Sequence, residues 1–367
     1  MRVIVSAGGT GGHIYPALAI INKIKEMDKN SEFLYIGTTD RMEKEIVPAL
    51  KIPYVAIEMK GLNRKQLLKN GKSITCFFKA IKKAKEVVKE FKPDIVIGTG
   101  GYITAPVIYA AHKEKIPTFI HEQNSLPGLS NRFLAFYATK IGVSLEDSMK
   151  YFDPKKAVFT GNPRSEEIAN IKKVSLKKWD LSDDKKLVLI VMGSLGSKTM
   201  TEKMKELIPS FKYKRYQVLI VTGKNYFDEY KDIKVPKNVK LVPYLNDLIQ
   251  IMKSTTLFVS RAGASSISEF TSIALPTILI PSPYVTNNHQ LKNAQVLEQK
   301  GASKIILEED FSKDTLIPLI DSILSDEKLY KSMKESTNKL AVKDSASKIY
   351  ELIKKIVEEN KNEQSSN

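Results

Sequence analysis

The chain has 367 residues, 42% of them hydrophobic and 27% charged, enough for two domains that each bury a core. Its net charge of +17 points to an anionic partner: acidic ligands, nucleic acid or an anionic membrane surface. One cysteine, Cys76, excludes an internal disulfide, no apolar run reaches the length of a membrane span, and without Asp-x-Asp or a His/Cys cluster at ligand spacing neither a metal nor a cofactor is expected.

The chain opens on a predicted strand, Arg2–Ser6, with no signal peptide before it. Gly8-Gly9-Thr10-Gly11-Gly12-His13 follows, then a helical pattern over Pro16–Met27. Glycines let a backbone approach a ligand closely, and the N–H groups that start a helix favour an anion, so a phosphate-bearing ligand is expected here. Two familiar phosphate motifs do not fit. The dinucleotide fingerprint needs glycine at Ile14 and an acid where the second strand, Glu32–Ile36, runs into Gly37. The kinase-type loop needs glycine at Gln66, ahead of Gly71-Lys72-Ser73.

Beyond strand Tyr54–Ile57 lies the most basic stretch. Lys60 to Lys92 carries eleven Lys/Arg against two Glu, a net of +9. Leu67 and Leu68 lead into a helical pattern over Lys72–Phe91, where Ile74, Phe77, Phe78 and Ile81 recur at i, i+3, i+4, i+7 among Lys72, Lys79, Lys82, Lys83 and Lys85. That face either packs into the core or dips into an anionic membrane surface. Nucleic acid is not favoured: no recognisable module is present, and two phenylalanines on one face suit lipid or core better than a phosphate track.

The first half continues with strands at Asp94–Ile97, Thr118–His121, Lys140–Ser144 and Ala157–Thr160. Gly98-Thr99-Gly100-Gly101-Tyr102 is a second glycine loop, with Thr104-Ala105-Pro106 opening the next helix, so this half can hold a diphosphate. His121-Glu122-Gln123-Asn124 puts an imidazole, a carboxylate and amides at the carboxyl edge of the strands; the alternative is a polar turn capped by Asn124 or Ser125. The join is expected near Gly161-Asn162-Pro163-Arg164, giving domains 1–163 and 164–345, with a C-terminal helix and polar tail over 346–367, unstructured from Glu358.

The second half repeats the scheme, with strands at Lys186–Met192, Tyr216–Thr222, Val239–Val242, Thr256–Ser260, Thr277–Pro281 and Lys304–Leu307. Its first strand also feeds a glycine loop, Gly193-Ser194-Leu195-Gly196-Ser197. Strand–helix alternation in both halves predicts two doubly wound parallel sheets, each with its ligand edge at the carboxyl ends of the strands, facing each other across a cleft. Ser260-Arg261-Ala262-Gly263-Ala264 precedes Ser266 and Glu269, which stand in capping-box relation; against a purely structural role, a carboxylate at this edge can accept both hydroxyls of a ribose. The loop from Pro281 to Gln290, rich in Asn287, Asn288, His289 and Gln290, suits sugar hydroxyls. Of the four histidines, His13, His121 and His289 lie where a strand gives way to a loop and are candidates for acid–base work, while His112 reads as packing.

Gly9-Thr10-Gly11-Gly12-His13, Gly100-Gly101-Tyr102, His121-Glu122-Gln123-Asn124, Gly161-Asn162-Pro163-Arg164, Gly193-Ser194-Leu195-Gly196, Arg261-Ala262-Gly263-Ala264 with Glu269, and Asn288-His289-Gln290 fall in the order of one family. Over about residues 1 to 310 the chain resembles the MurG family of peptidoglycan glycosyltransferases, with Met192 where glycine is common. The resemblance implies a GT-B fold, two Rossmann-like domains around a cleft. It implies inverting, metal-independent transfer of N-acetylglucosamine from UDP-N-acetylglucosamine to the 4-hydroxyl of undecaprenyl-diphospho-N-acetylmuramoyl-pentapeptide, by a peripheral protein on the cytoplasmic face of the membrane. On the donor side it implies Ser194 at the diphosphate, Leu245 at uracil, Glu269 at ribose, His289 and Gln290 at the sugar, Ala264 beside them, and Arg164 at the leaving diphosphate. Thr10, Gly11, Gly12 and Asn124 would line the reaction centre. Gly9, Gly11, Gly12, Gly100, Gly101 and Tyr102 would meet the acceptor diphosphate. His13 is the first choice of base and Glu122 the second. Another UDP-sugar enzyme of this fold, such as a 2-epimerase or lipid glycosyltransferase, and a basic scaffold without chemistry remain the alternatives.

Overall fold

The computed structural model describes residues 1–59, 71–193 and 198–365, and the chain divides into two compact units. The first comprises Met1–Glu166 with Asp344–Asn367, the second Glu167–Lys343. In the first unit the order is β1 (Arg2–Ala7), α1 (Gly11–Met27), β2 (Glu32–Thr38), α2 (Glu43–Ala49), β3 (Tyr54–Ile57), α3 (Gly71–Phe91), β4 (Ile95–Gly100), α4 (Thr104–Lys113), β5 (Thr118–Glu122), α5 (Leu129–Leu134), β6 (Lys140–Val143), β7 (Ala157–Phe159) and α6 (Arg164–Asn170), within which the chain passes to the second unit. There follow β8 (Leu187–Val191), α7 (Lys198–Leu207), β9 (Gln217–Val221), β10 (Val239–Val242), α8 (Leu248–Met252), β11 (Leu257–Ser260), α9 (Ala264–Ser272), β12 (Thr277–Leu279), α10 (His289–Gln299), β13 (Ser303–Ile305), α11 (Lys313–Ser325) and α12 (Glu327–Lys339). The last helix, α13 (Ser345–Ser365), belongs to the first unit.

Both sheets are parallel. Their orders, β3-β2-β1-β4-β5-β6-β7 and β10-β9-β8-β11-β12-β13, follow one doubly wound pattern. The reason is visible in the strands: Val3, Ile4 and Val5, like Leu187 to Ile190, are wholly buried, because helices cover both faces. In each sheet the direction of winding reverses between the first and fourth strands, so the crevice lies at β1/β4 and at β8/β11. Those four strands feed the glycine loops read from the sequence.

Two expectations need correction. The glycine stretch after β1 is not all turn: α1 begins at Gly11, with extended Thr10 before it and Pro16 inside. Glycine reads as a loop residue, yet here Gly11, Gly12 and His13 form the first helical turn. The tail from Glu358 was expected unstructured, but α13 runs to Ser365. Its Ile349, Tyr350, Ile353, Ile356 and Val357 enter the core with Val3, Val5 and Ile14, at about 1.5–3 kcal/mol per fully buried side chain. Glu166 locks the docking, accepting from Ser347 N and Oγ at 2.8 Å each and pairing with Lys23 at 2.8 Å.

Candidate active site

At the first crevice the two glycine loops are bonded to each other. Gly8 N donates to Gly100 O at 3.1 Å, and a side chain on Gly101, whose φ is +95°, would collide with Gly8 O. His13 lies against Gly100, where a Cβ would stand 2.6 Å from the ring. Thr99 Oγ1 donates to His13 O at 2.7 Å. His13 Nδ1 is 3.1 Å from Gly8 O; a carbonyl can only accept, so Nδ1 carries the proton and Nε2 the lone pair of the neutral ring. Gly11 and Gly12 open α1, where helical amides have no acceptor within the helix. Gly9 N is engaged by the protein itself, donating to Glu43 Oε2 at 3.0 Å. Tyr102 is 54% exposed beside them. Tyr15, on α1, covers Gly11, and the Arg164 guanidinium stacks over its ring at 4.9 Å, which brings a cation beside this helix start.

The second polar cluster separates its members by role. Glu122 is buried and accepts four hydrogen bonds: Asn124 N at 2.9 Å and Nδ2 at 3.1 Å on one oxygen, Gly128 N at 3.0 Å and Asn131 Nδ2 at 2.9 Å on the other. It braces the loop that carries Asn124, a geometry poorly suited to the base role considered for it. His121 is fully buried, with Nε2–H donating to Gly161 O at 2.9 Å and Nδ1 accepting from Gln123 Nε2 at 3.1 Å. It is a packing histidine rather than an acid–base group. Burial pushes its imidazole down from 6.5 to about 4, despite the bond to Gly161. The unfolded chain therefore takes up a proton between these pH values that the folded chain refuses. The stabilisation is complete above pH 6.5 and is lost as the pH falls toward 4, by about 3 kcal/mol. Thermal unfolding scans from pH 7.5 to 4.5 should show this slope, and His121→Gln should flatten it.

In the second unit Gly193, with φ +111°, ends the described part of the β8 loop; Ser194 lies outside the described residues. The β11 loop is held from two sides: Arg261 Nη1 donates to Ile280 O at 3.1 Å and pairs with buried Glu308 at 2.7 Å, while Asn293 Nδ2 donates to Ala262 O at 3.2 Å. Gly263 is the residue before α9 and Ala264 its first, so Ser266 lies inside the helix and no capping box forms with Glu269. Glu269 is buried on this helix. Gln290 Oε1 accepts from Ser282 N at 2.9 Å, tying α10 to the loop after β12; His289 opens α10 behind left-handed Asn287 and Asn288. Leu245 is buried in the turn between β10 and α8.

On α3 the buried side is Cys76, Ala80, Ala84, Val87 and Val88. Ile74 and Phe78 are 50% and 64% exposed, and Phe77 and Ile81 are half-buried. The core alternative thus fails for Ile74 and Phe78. Leu67 and Leu68 lie outside the described residues. Among the described residues, no helix is long and apolar enough to cross a membrane.

The model of the glycosyltransferase family 28 N-terminal domain matches residues 3–143, and that of the family 28 C-terminal domain matches residues 187–364. The chain belongs to glycosyltransferase family 28. The UDP-N-acetylglucosamine–N-acetylmuramyl-(pentapeptide) pyrophosphoryl-undecaprenol N-acetylglucosamine transferase of Bacillus pumilus (strain SAFR-032) is 45% identical to it over 361 residues, 97% of this chain and 99% of that one. The corresponding transferase 1 of Bacillus cereus (strain ATCC 10987 / NRS 248) is 45% identical over 362 residues, 97% and 100% of the two chains. The crystal structure of Acinetobacter baumannii MurG superposes with a TM-score of 0.78 at 26% identity, covering 96% of this chain and 99% of that one. A UDP-GlcNAc 2-epimerase from Neisseria meningitidis bound to UDP-GlcNAc shares the fold alone, with a TM-score of 0.67 at 17% identity over 97% and 100% of the two chains. The architecture is GT-B.

In this family 28 glycosyltransferase the sequence reading passed over Glu43, Asn131, Glu308 and Asn293, all buried. Glu43 had a signal. Gly37, which stands where a ribose-binding acid was sought, is hemmed in: a Cβ there would collide with the Tyr54 hydroxyl and lie 2.7 Å from Glu43 Cγ.

Proposed function

We propose that this chain catalyses inverting transfer of N-acetylglucosamine from UDP-N-acetylglucosamine to the 4-hydroxyl of undecaprenyl-diphospho-N-acetylmuramoyl-pentapeptide, a step of peptidoglycan synthesis. The observation that carries this is identity of 45% over 97% of the chain to relatives bearing that name. The first unit takes the acceptor: Gly11, Gly12, Gly100, Gly101 and Tyr102 receive the lipid diphosphate, with Thr10 and Asn124 beside the reacting sugar. The second takes the donor: Ser194 at the diphosphate, Leu245 at uracil, Glu269 at ribose, and His289 and Gln290 at the sugar hydroxyls, with Ala264 beside them. Arg164 answers charge on the departing UDP.

His13 is the base. As the acceptor O4 bonds to the anomeric carbon and the bond to the UDP oxygen breaks, Nε2 takes the hydroxyl proton. The Nδ1–H bond to Gly8 O supports this assignment, because it leaves Nε2 as the accepting atom. No cofactor or metal enters the reaction. The test is UDP release with and without muramoyl lipid: a transferase releases UDP only with the acceptor. UDP-sugar epimerisation without any acceptor would favour the 2-epimerase alternative.

The protein works peripherally at the cytoplasmic face of the membrane, with α3 against anionic lipid. Exposed Ile74 and Phe78 beside Lys79, Lys82 and Lys83 support that reading over a nucleic-acid track. Ile74→Asp combined with Phe78→Asp should weaken co-sedimentation with phosphatidylglycerol vesicles by about 10- to 100-fold, with UDP binding and melting temperature retained. Unchanged vesicle binding would remove α3 from the membrane face.

A further inference from the structure

The Gly8–Gly9 peptide group is hydrogen-bonded on both sides. Its carbonyl accepts His13 Nδ1–H at 3.1 Å, and its N–H donates to Glu43 Oε2 at 3.0 Å. Glu43 has no exposed surface. Its other oxygen accepts Thr38 N at 3.1 Å and Thr38 Oγ1 at 2.7 Å, so all three partners are donors. Tyr54 OH, donating to Thr38 O at 2.6 Å, steadies that residue in turn. The carboxylate is built in: a Cβ on Gly8 would lie 2.5 Å from Oε1, and one on Gly37 would lie 2.7 Å from Cγ. A buried carboxylate held by Gly9 N–H and the two donors of Thr38, all uncharged, is costly, and its placement behind a ligand loop calls for a purpose.

We infer that Glu43 is a positioning residue that acts on His13 through the Gly8–Gly9 peptide. A carboxylate drawing on the peptide N–H polarises the amide and makes its carbonyl a stronger acceptor. The stronger acceptor holds the proton on Nδ1 and keeps the Nε2 lone pair for the substrate hydroxyl. The arrangement does the work of a carboxylate bonded directly to a catalytic imidazole, with one peptide group interposed. The inference rests on His13 being the base.

The chain has only four histidines, so the full-length protein with 15N-labelled histidine gives a resolvable spectrum. The wild type should show His13 protonated at Nδ1. Glu43→Gln puts an amide N–H₂ against either Gly9 N–H or Thr38 N–H. It should mix the two tautomers, lower kcat by about 10- to 100-fold, and leave donor KM within about twofold. In the His13→Ala background Glu43→Gln should cost less than about twofold more, since its effect passes through the missing ring. A wild-type proton on Nε2, or a Glu43→Gln loss that persists in full without His13, would overturn the relay. Normal kcat in His13→Ala alone would remove the base assignment, and the tautomer in Glu43→Gln would still judge the relay. Should Glu43→Gln fail to fold, Thr38→Val, which deletes only the hydroxyl bond to Oε1, should mix the tautomers and lower kcat by about two- to fivefold. An unchanged tautomer there counts against the relay.

Discussion

The His13→Ala enzyme is expected to turn over about 10²–10⁴-fold more slowly than the wild type, with UDP affinity almost unchanged. The loss corresponds to about 3–5.5 kcal/mol of transition-state stabilisation, the usual worth of a positioned general base. The split between kcat and UDP binding follows from location. His13 belongs to the first unit, among Gly8, Thr99 and Gly100, whereas the proposed uracil and ribose contacts belong to the second. Loss of the ring removes no proposed nucleotide contact but leaves the acceptor hydroxyl without a proton acceptor. Glu122 does not replace it readily, because four donors occupy its two oxygens. Single-turnover kinetics with saturating donor, alongside calorimetric UDP titration, measure the two quantities separately. A near-normal kcat would sink the assignment.

Glu269→Ala should raise donor KM by about 10- to 100-fold, the cost of losing one or two hydrogen bonds from a ribose to a charged acceptor. The competing role, a capping box with Ser266, has lost its geometric basis, since α9 starts at Ala264 and Gly263 precedes it. Glu269 is therefore a buried carboxylate on the helix that leaves the β8/β11 crevice. Uridine should lose as much affinity for the variant as UDP does, while 2′,3′-dideoxyuridine should bind both proteins equally. A lower melting temperature with donor KM unchanged would leave Glu269 a structural residue.

The strands were legible because parallel strands covered on both faces must be continuous apolar runs. Leu187 to Val191 is a clear case, and its repetition of Val3 to Val5 exposed the duplication. The crevices followed, since sheet order fixes where the carboxyl ends diverge. What failed was information that short spacing does not hold. His13 and His121 both read as lying where a strand gives way to a loop, yet one stands in the first turn of α1 and the other, in β5, is fully buried and bonded to Gly161 O. Glu43 lies 34 residues from Gly9, and only the pairing of β1 with β2 brings the start of α2 behind the glycines. Ser266 and Glu269 matched a local capping pattern, but tertiary packing of the β11 loop set the helix start three residues earlier. The C-terminal helix was expected, but not that it continues past Glu358, nor that Ile349, Ile353, Ile356 and Val357 ahead of that point pack into the core of the first sheet.

Inverting transfer to the muramoyl 4-hydroxyl fixes the linkage of the product. Nuclear magnetic resonance of the lipid-linked disaccharide tests it directly. UDP-N-acetylglucosamine carries an α-anomeric bond, so attack from the opposite face with His13 as base predicts a β-1,4 linkage and no other. An α linkage, attachment at another hydroxyl, or an epimerised sugar with no disaccharide would contradict it.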